Sequence, residues 1–174
     1  VLRRIITAKC GICGFIDLQG EPSQSQITEK MIALLMHRGP EGTGSLVRHQ
    51  ENLPTAFMGH ARLRVIDLSK NGDQPIPNED STIWVSLNGE IYNYRELRLD
   101  LELQGHKFRS QSDTEVIVHA YEQFGDMLVD HLDGMFAFSI WDEKKKKLLL
   151  ARDRVGKKPL YYHFNKTNSE LTFA

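Results

Sequence analysis

Two cysteines three positions apart are the residues of this sequence best suited to covalent chemistry. They lie in the segment Cys10-Gly11-Ile12-Cys13-Gly14. Such a pair could form a redox dithiol, although that motif normally begins a helix and the run here is β-like. A zinc site needs about four ligands, and no second Cys/His cluster follows at zinc-finger spacing. A buried structural cysteine and a nucleophilic Cys10 therefore remain as alternatives.

Short polar and glycine-containing segments follow these cysteines in a recognisable order. They include His37-Arg38-Gly39-Pro40, Gly59-His60-Ala61-Arg62-Leu63, Gln74-Pro75, Asn88-Gly89-Glu90-Ile91-Tyr92-Asn93, Ser112-Asp113-Thr114-Glu115, Ala151-Arg152-Asp153-Arg154 and Lys158-Pro159-Leu160-Tyr161-Tyr162. Each segment alone is a weak signal. Together, over residues 10–174, the sequence resembles the class II glutamine amidotransferase domain of glutamine-hydrolysing asparagine synthetase, a family of N-terminal-nucleophile hydrolases.

The resemblance implies that Cys10 is the nucleophile, which in mature family members is the first residue. The free α-amine of such a residue, with a reference pKa near 7.7–8.0, can act as the general base. A histidine base is then unnecessary, so we interpret His37 and His60 as structural residues.

The resemblance also assigns an oxyanion hole to Asn88 and Gly89, because attack on a carboxamide creates a negatively charged oxygen that an amide side chain and a backbone N–H can stabilise. Taken alone, an Asn-Gly pair is more typical of a hairpin turn.

Substrate recognition is implied at both ends of the glutamine backbone. Arg62 matches the residue that binds the α-carboxylate, for which a planar guanidinium is suited, whereas Glu90 and Asp113 match residues near the α-ammonium. An acidic Asp113 in the first turn of a helix is also common without any substrate. The family strand along which glutamine lies corresponds to Leu63, Arg64, Val65 and Ile66.

The implied reaction is hydrolysis of L-glutamine to glutamate and ammonia through a cysteine thioester. The ammonia would reach an ATP-dependent synthetase domain that is absent here, so we expect no cofactor and no metal in this domain, with ATP and Mg²⁺ confined to the synthetase domain. Two alternatives remain: an amidotransferase domain that serves another acceptor, and a regulatory module that binds glutamine while residues 1–9 block Cys10. Assembly into homo-oligomers is left open.

The sequence departs from the family pattern mainly at its start. Residues 1–9 precede Cys10 as an N-terminal extension, which we interpret as a propeptide, a remnant of cloning, or part of an inactive form. Glu41 replaces the usual aspartate and Arg64 the usual serine. Because the chain begins at Val1 and stops at Ala174, we expect it to be a piece of something longer.

Composition narrows the classes of partner. The 174 residues are 40% hydrophobic and 26% charged with a net charge of −1, which favours one globular domain and gives no sign of nucleic-acid or membrane binding. No apolar run approaches the roughly 20 residues of a membrane span, and the apolar run at the N-terminus is too short for the one expected of a secretory signal. With no disulfide framework, the sequence predicts a cytoplasmic protein.

These residues need a scaffold, and apolar periodicity predicts an α+β fold. Predicted strands lie at 10–18, 55–59, 61–66, 82–87, 135–141, 148–152, 160–164 and 170–173, and predicted helices at 25–37, 93–105 and 112–125. Capping boxes are predicted at Asn93 and Ser112. The resemblance implies a four-layer αββα sandwich of two antiparallel sheets, whereas periodicity alone leaves a simpler α+β arrangement open.

Overall fold

Two antiparallel sheets form the centre of the protein in a computed structural model that describes residues 9–20 and 25–174. The predicted N-terminal extension lies outside the described residues except for Lys9. The strands are β1 (Gly11–Asp17), β2 (Gly42–Arg48), β3 (Thr55–Arg62), β4 (Ile76–Pro77), β5 (Ile83–Ile91), β6 (Gly134–Asp142), β7 (Lys147–Arg152), β8 (Tyr162–Asn165) and β9 (Glu170–Phe173).

Strand order places the start of β1 at the middle of one sheet. The first sheet has the order β2-β3-β1-β9-β8, and the second has the order β4-β5-β6-β7. The predicted hairpins β6–β7 and β8–β9 are confirmed. β1 pairs with β3 from Gly11 opposite Ala61 to Asp17 opposite Thr55. The residue that precedes β1 therefore lies beside the end of β3, where Arg62 is found.

Three helices cover the outer faces of the sheets: α1 (Ser25–Leu35), α2 (Tyr94–Leu103) and α3 (Glu115–Phe124). Helix α1 is amphipathic, and Met31, Ile32 and Leu35 pack against Phe15 and Phe57 of the first sheet. Helices α2 and α3 cover the second sheet, where they build the largest apolar cluster. Its fully buried members include Val85, Leu87, Leu101, Val116, Ile117, Leu128, Phe138 and Ile140.

The inner faces of the two sheets pack on each other. Met58 and Phe173 of the first sheet meet Trp141 of the second, and Trp141 is completely buried. His60 also joins the sheets, because its Nε2 lies 3.1 Å from the carbonyl oxygen of Leu87 in β5. Burial lowers the pKa of His60 to about 4, so the neutral ring donates this hydrogen bond. The layers are therefore α1, first sheet, second sheet, and α2 with α3, which confirms the αββα sandwich.

Two local predictions of strand structure are wrong. Residues 61–66 do not form a strand of their own, because β3 continues to Arg62 and the next residues leave the sheet. The sequence analysis also missed β2, which pairs with β3 along the edge of the first sheet. β2 contains two glycines and has a single fully buried side chain, Leu46, so its apolar signal is weak.

The predicted capping boxes are also wrong. The side chain of Asn93 bonds to His131 O and to the N–H of Asp133 rather than to α2. The hydroxyl of Ser112 accepts a hydrogen bond from Thr114 N, and α3 begins only at Glu115. Both helices nevertheless stop close to the predicted places. No helix among residues 9–20 and 25–174 is long and apolar enough to cross a membrane.

Candidate active site

Cys10 lies immediately before β1, at the edge where the first sheet meets β5 of the second. The N–H of Leu63 points at its Sγ with an N···S distance of 3.4 Å, and Sγ lies 3.6 Å from Leu63 O. The backbone on either side is fixed by Arg38, whose carbonyl accepts from Lys9 N at 2.8 Å and whose Nε donates to Cys10 O at 3.1 Å. The thiol is therefore held in place by main-chain groups. Cys13, in contrast, is buried against α1.

A small cavity opens beside Cys10, with a free volume of about 50 Å³. We call it the Cys10 cavity. It brings together a sulfur, a guanidinium and three carboxylates from four separate parts of the chain. Its lining residues are Cys10, Arg62, Leu63, Val65, Ile66, Asp67, Gln74, Leu87, Gly89, Glu90, Ser112, Asp113 and Thr114. Eight of the ten residues predicted for the site are among them or border them directly: Cys10, Arg62, Leu63, Val65, Ile66, Gly89, Glu90 and Asp113.

Arg62 is buried at the end of β3, with most of its guanidinium directed at the loop that follows. Its Nη1 donates to Ser69 O at 2.7 Å and to the carboxylate of Asp73, and its Nη2 donates to Asp67 O. These bonds use three of the five N–H donors of a guanidinium. Arg62 therefore holds the cavity loop, and a ligand carboxylate would use its other donors or displace a loop acceptor.

Asp113 supplies a buried carboxylate on the opposite wall. Its Oδ2 accepts from Ile91 N at 2.9 Å at the end of β5. Burial, reinforced by the negative charge of Glu90, raises the pKa of Asp113 to about 6. A cationic ligand group at this wall would relieve both effects, so the geometry suits an ammonium ion.

Asn88 has an amide whose oxygen is buried and has no hydrogen-bond partner among the described residues. Asn88 lines a neighbouring space together with Gly11, Arg38 and Tyr161, and it is not among the residues that line the Cys10 cavity. A buried amide oxygen without a partner is uncommon in folded proteins.

Gly89 lies within β5 and pairs with Phe136 of β6, so the hairpin-turn interpretation of Asn88-Gly89 is wrong. A Cβ at Gly89 would lie 2.3 Å from Met135 O, a distance that no side chain could tolerate. The glycine is thus required by the close approach of β6.

The segment of Leu63, Arg64, Val65 and Ile66 borders the cavity as an irregular stretch rather than the predicted strand. Arg64 turns away from the lining, and its N–H donates to Glu41 at 2.6 Å. Both departures from the family pattern, Glu41 and Arg64, are therefore in contact at the rim. Val65 and Ile66 are exposed.

Three buried polar residues that the sequence analysis did not assign also shape the cavity. Gln74 connects two walls, because its Nε2 donates to Thr114 Oγ1 at 3.0 Å and its Oε1 accepts from Leu87 N at 2.6 Å. Asp67 accepts from Gln111 N at 2.8 Å and so ties the loop to the Asp113 segment. The third, Lys158, is buried outside the lining and acts on Cys10 through its charge. Gln74 and Lys158 lie in two of the segments that carry the family resemblance, and this resemblance was the sequence signal that could have identified them.

The electrostatics of Cys10 favour the protonated thiol. Burial raises its pKa, although the N–H of Leu63 and the charges of Arg62 and Lys158 lower it in part. Burial, together with the charge of Lys9, in turn lowers the pKa of Lys158. A thiol in this state needs a base before it can act as a nucleophile.

A larger cavity of about 540 Å³ lies elsewhere, where residues 126–134 meet the ends of β6 and β7. Its lining includes Arg152 and Arg154 but contains no cysteine, serine or histidine. Volume alone would select this cavity, whereas nucleophilic chemistry selects the smaller one beside Cys10.

An αββα sandwich with a cysteine at the start of a central strand defines the fold class of the N-terminal-nucleophile hydrolases. Comparison with known proteins agrees. A family model described as "Glutamine amidotransferase domain" matches residues 9–174, and the chain belongs to this family. The solved structure of glutamine phosphoribosylpyrophosphate amidotransferase from B. subtilis, complexed with ADP and GMP, shares the fold. Its TM-score is 0.72 at 23% identity, over 94% of this chain and 41% of that one.

Sequence relatives point to one branch of the family. The chain is 40% identical over 168 residues to asparagine synthetase [glutamine-hydrolyzing] 3 of Bacillus subtilis, covering 95% of this chain and 26% of that protein. It is 43% identical over 154 residues to asparagine synthetase [glutamine-hydrolyzing] 3 of Arabidopsis thaliana, covering 86% and 25%. The chain therefore spans about a quarter of the length of these relatives.

Proposed function

We propose that this chain hydrolyses the side-chain amide of L-glutamine to glutamate and ammonia, with Cys10 as the nucleophile. The observation that carries the proposal is the convergence of the Cys10 thiol, the Arg62 guanidinium and the Asp113 carboxylate on one cavity, in a chain that belongs to the glutamine amidotransferase family.

The chemistry runs in two steps. The sulfur of Cys10 attacks the carboxamide carbon, and the oxygen of that group takes up the negative charge beside the Gly89 N–H. The Asn88 amide, which lines the neighbouring space, would turn toward this oxygen to act as the second donor. The C–N bond then breaks, ammonia leaves with the proton from the thiol, and a thioester remains. Water attacks the thioester carbon, the C–S bond breaks, and glutamate and the free thiol are released.

The proton of the thiol needs an acceptor, because burial raises the pKa of Cys10. We propose that the acceptor is the α-amine of Cys10 itself, freed by removal of residues 1–9. A peptide nitrogen carries no basic lone pair at neutral pH, so a chain in which Lys9 still precedes Cys10 would lack this base.

Substrate recognition follows from the two walls of the cavity. The α-ammonium would pair with Asp113 and Glu90, and the α-carboxylate would use the donors of Arg62 that do not bind the loop. The irregular segment of Leu63, Val65 and Ile66 would lie along the substrate backbone. Because about 50 Å³ is enclosed, the substrate would also need this exposed segment to move outward.

The released ammonia would be used in a second reaction. The relatives are named as glutamine-hydrolysing asparagine synthetases, so we propose that the ammonia serves asparagine synthesis in an ATP-dependent domain next to this one, in the cytoplasm. The glutaminase step itself would need neither ATP nor Mg²⁺. Another ammonia acceptor and a homo-oligomeric assembly both remain compatible with the cavity.

The test compares glutamate formation by four chains: the full chain, a chain that begins at Cys10, and the latter with Cys10→Ala or Cys13→Ala. Intact mass establishes the first residue of each. We expect turnover only when the chain begins at Cys10, a loss of at least about 10³-fold for Cys10→Ala, and near-normal turnover for Cys13→Ala.

Two outcomes would contradict the proposal. Equal turnover with and without residues 1–9 would rule out the free amine as base. Glutamine binding without glutamate formation by every chain would instead support the regulatory module.

A further inference from the structure

A second polar cluster lies on the far side of the second sheet from Cys10. It consists of Glu79, His106, His119 and Glu122, which we call the outer cluster. Its members come from three segments: the turn before β5, the connection between α2 and α3, and α3 itself. One ligand-type atom from each side chain lies within 4.8 Å of all the others. The proposed glutaminase chemistry makes no use of these residues.

The two imidazoles present the same atom to the two carboxylates. His119 Nδ1 lies 3.1 Å from Glu122 Oε2 and 3.4 Å from Glu79 Oε2. His106 Nδ1 lies 3.5 Å from the same Glu122 oxygen and 3.7 Å from Glu79 Oε1. Each imidazole nitrogen therefore lies close to an oxygen of both carboxylates, with Glu79 offering a different oxygen to each histidine.

These separations fit ligands around an ion better than pairs of hydrogen bonds. An N–H···O bond normally spans about 2.7–3.2 Å, a range that only one of the four distances meets. In tetrahedral zinc sites, Zn–N and Zn–O bonds of about 2.0–2.2 Å put neighbouring ligand atoms about 3.3–3.6 Å apart. The observed 3.1, 3.4, 3.5 and 3.7 Å bracket that range.

Neighbouring groups contact the proposed ligands from behind, as residues around known metal ligands do. The carboxylate of Glu115 lies 3.7 Å from His119 Nε2, which has no hydrogen-bond partner among the described residues. Asn78 Nδ2 donates to the second oxygen of Glu122 at 2.8 Å, and Lys107 N donates to Glu79 Oε1 at 2.9 Å. Such second contacts fix ligands in position, and a carboxylate behind a histidine is the commonest of them.

Access and charge also suit a cation. His119 is 1% exposed, whereas His106, Glu122 and Glu79 are 14%, 25% and 34% exposed, so the cluster is anchored on one side and open to solvent on the other. With both imidazoles neutral, as metal ligands must be, the four side chains carry a charge of −2, which a divalent ion balances. Mixed imidazole and carboxylate ligands favour zinc-like transition metals over Mg²⁺ or Ca²⁺, which prefer oxygen.

We propose that Glu79, His106, His119 and Glu122 bind one divalent transition-metal ion of the zinc type, with a structural role. The ion ties α3 to the turn before β5 and to the α2–α3 connection, outside the catalytic cavity. A proton is the competing occupant, because the surrounding carboxylates, working against burial, raise the pKa of His119 to about 9. Metal binding therefore releases protons.

The test uses untagged full chain carrying Cys10→Ala, so that the thiol beside the cavity does not bind the probe. After treatment with a chelator and its removal, the protein is titrated with ZnCl₂ at pH 7.5 by calorimetry, and its thermal midpoint is followed with and without Zn²⁺. We expect one ion per chain and a midpoint that rises with Zn²⁺ concentration.

Matched variants locate the ion. His106→Asn and Glu79→Gln remove partly exposed ligands, and each should weaken Zn²⁺ binding at least about 100-fold, since the loss of outer contacts alone costs 10–100-fold. The exposed residues His163 and Glu96 provide the controls His163→Asn and Glu96→Gln, which should bind as the parent does. Circular dichroism checks that every variant is folded.

Two results would overturn the proposed metal site. Absence of Zn²⁺ binding by the parent, or equal binding by the ligand and control variants, would show that the outer cluster holds only protons. Neither result bears on glutamine hydrolysis, which is measured separately.

Discussion

Asp113 and Glu115 lie two residues apart and are both almost fully buried. Their pKa values nevertheless shift in opposite directions. Burial, with the nearby charge of Glu90, raises the pKa of Asp113 to about 6. Burial acts on Glu115 as well, but the imidazole of His119 and hydrogen bonds from Ser110 and Arg109 outweigh it and lower the pKa of Glu115.

The difference lies in the hydrogen-bond donors that surround each carboxylate. Glu115 accepts from Arg109 N and Ser110 N, each at 2.7 Å, and from the Ser110 hydroxyl. Asp113 faces the Cys10 cavity, where Glu90 adds a second negative charge. A saturated carboxylate supports structure, whereas an unsaturated one is available to a ligand. Burial alone does not distinguish the two roles.

The largest effect should come from removing the saturated carboxylate. Glu115→Leu leaves the N–H groups of Arg109 and Ser110 and the Ser110 hydroxyl buried without an acceptor, so we expect a loss of about 3–5 kcal/mol in the free energy of unfolding. Urea denaturation measures it. The control Glu96→Leu, at an exposed position in the first turn of α2, should cost less than about 1 kcal/mol. Similar losses for both would refute the structural role of Glu115.

Asp113→Asn should stabilise the protein at high pH, by less than Glu115→Leu destabilises it. The pKa of Asp113 is about 6 in the folded chain against 3.8 when free, so the folded state binds its proton more tightly. Wild-type stability therefore falls as the pH rises from about 4 to 6, and the variant lacks this fall. The variant should gain about 2.4 kcal/mol relative to wild type between pH 4 and pH 8.

Urea unfolding of both proteins at one-unit intervals from pH 4 to pH 8 gives this difference directly. Parallel stability curves would mean that the carboxyl group of Asp113 titrates normally, and the contrast with Glu115 would disappear. Glutamine binding by Asp113→Asn, measured in parallel, should be weaker at every pH at which the wild-type carboxylate is ionised.

The smallest effect is expected from Glu90→Gln. This change removes the neighbouring charge but leaves Asp113 buried, and burial is the larger cause of its raised pKa. We expect the pKa of Asp113 to fall by less than about one unit, as followed by carbon NMR of its carboxyl group. A return to its ordinary value would show that repulsion, and not burial, separates Asp113 from Glu115.

The sequence predicted the layers of this fold better than its edges. β1, β5 and the β6–β7 hairpin have continuous or alternating apolar residues because each is covered on at least one face. β2 was missed because it lies at a sheet edge, where pairing with β3 and not its own composition holds it extended.

The candidate site was predictable only in part, for a related reason. Motif resemblance found Cys10, Arg62 and Asp113, but hydrogen bonds between distant segments decide what each side chain does. Nothing in the sequence shows that Arg62 already holds Asp67 and Ser69, or that Glu115 turns back toward Ser110. The outer cluster was invisible for the same reason, since its four residues come together only after folding.

β4 is two residues long, so most of the outer edge of β5 lies beyond its reach. At Leu87 both main-chain groups on that edge are occupied by side chains, the N–H by Gln74 and the carbonyl by His60. These two side chains bond the edge of β5 where a neighbouring strand would otherwise do so. The edge groups of Leu87 are therefore not free to pair with a strand of another polypeptide, the contact through which sheets aggregate. The same pair fixes the strand immediately before Asn88 and Gly89, so protection of the sheet and placement of the proposed oxyanion donors depend on the same contacts.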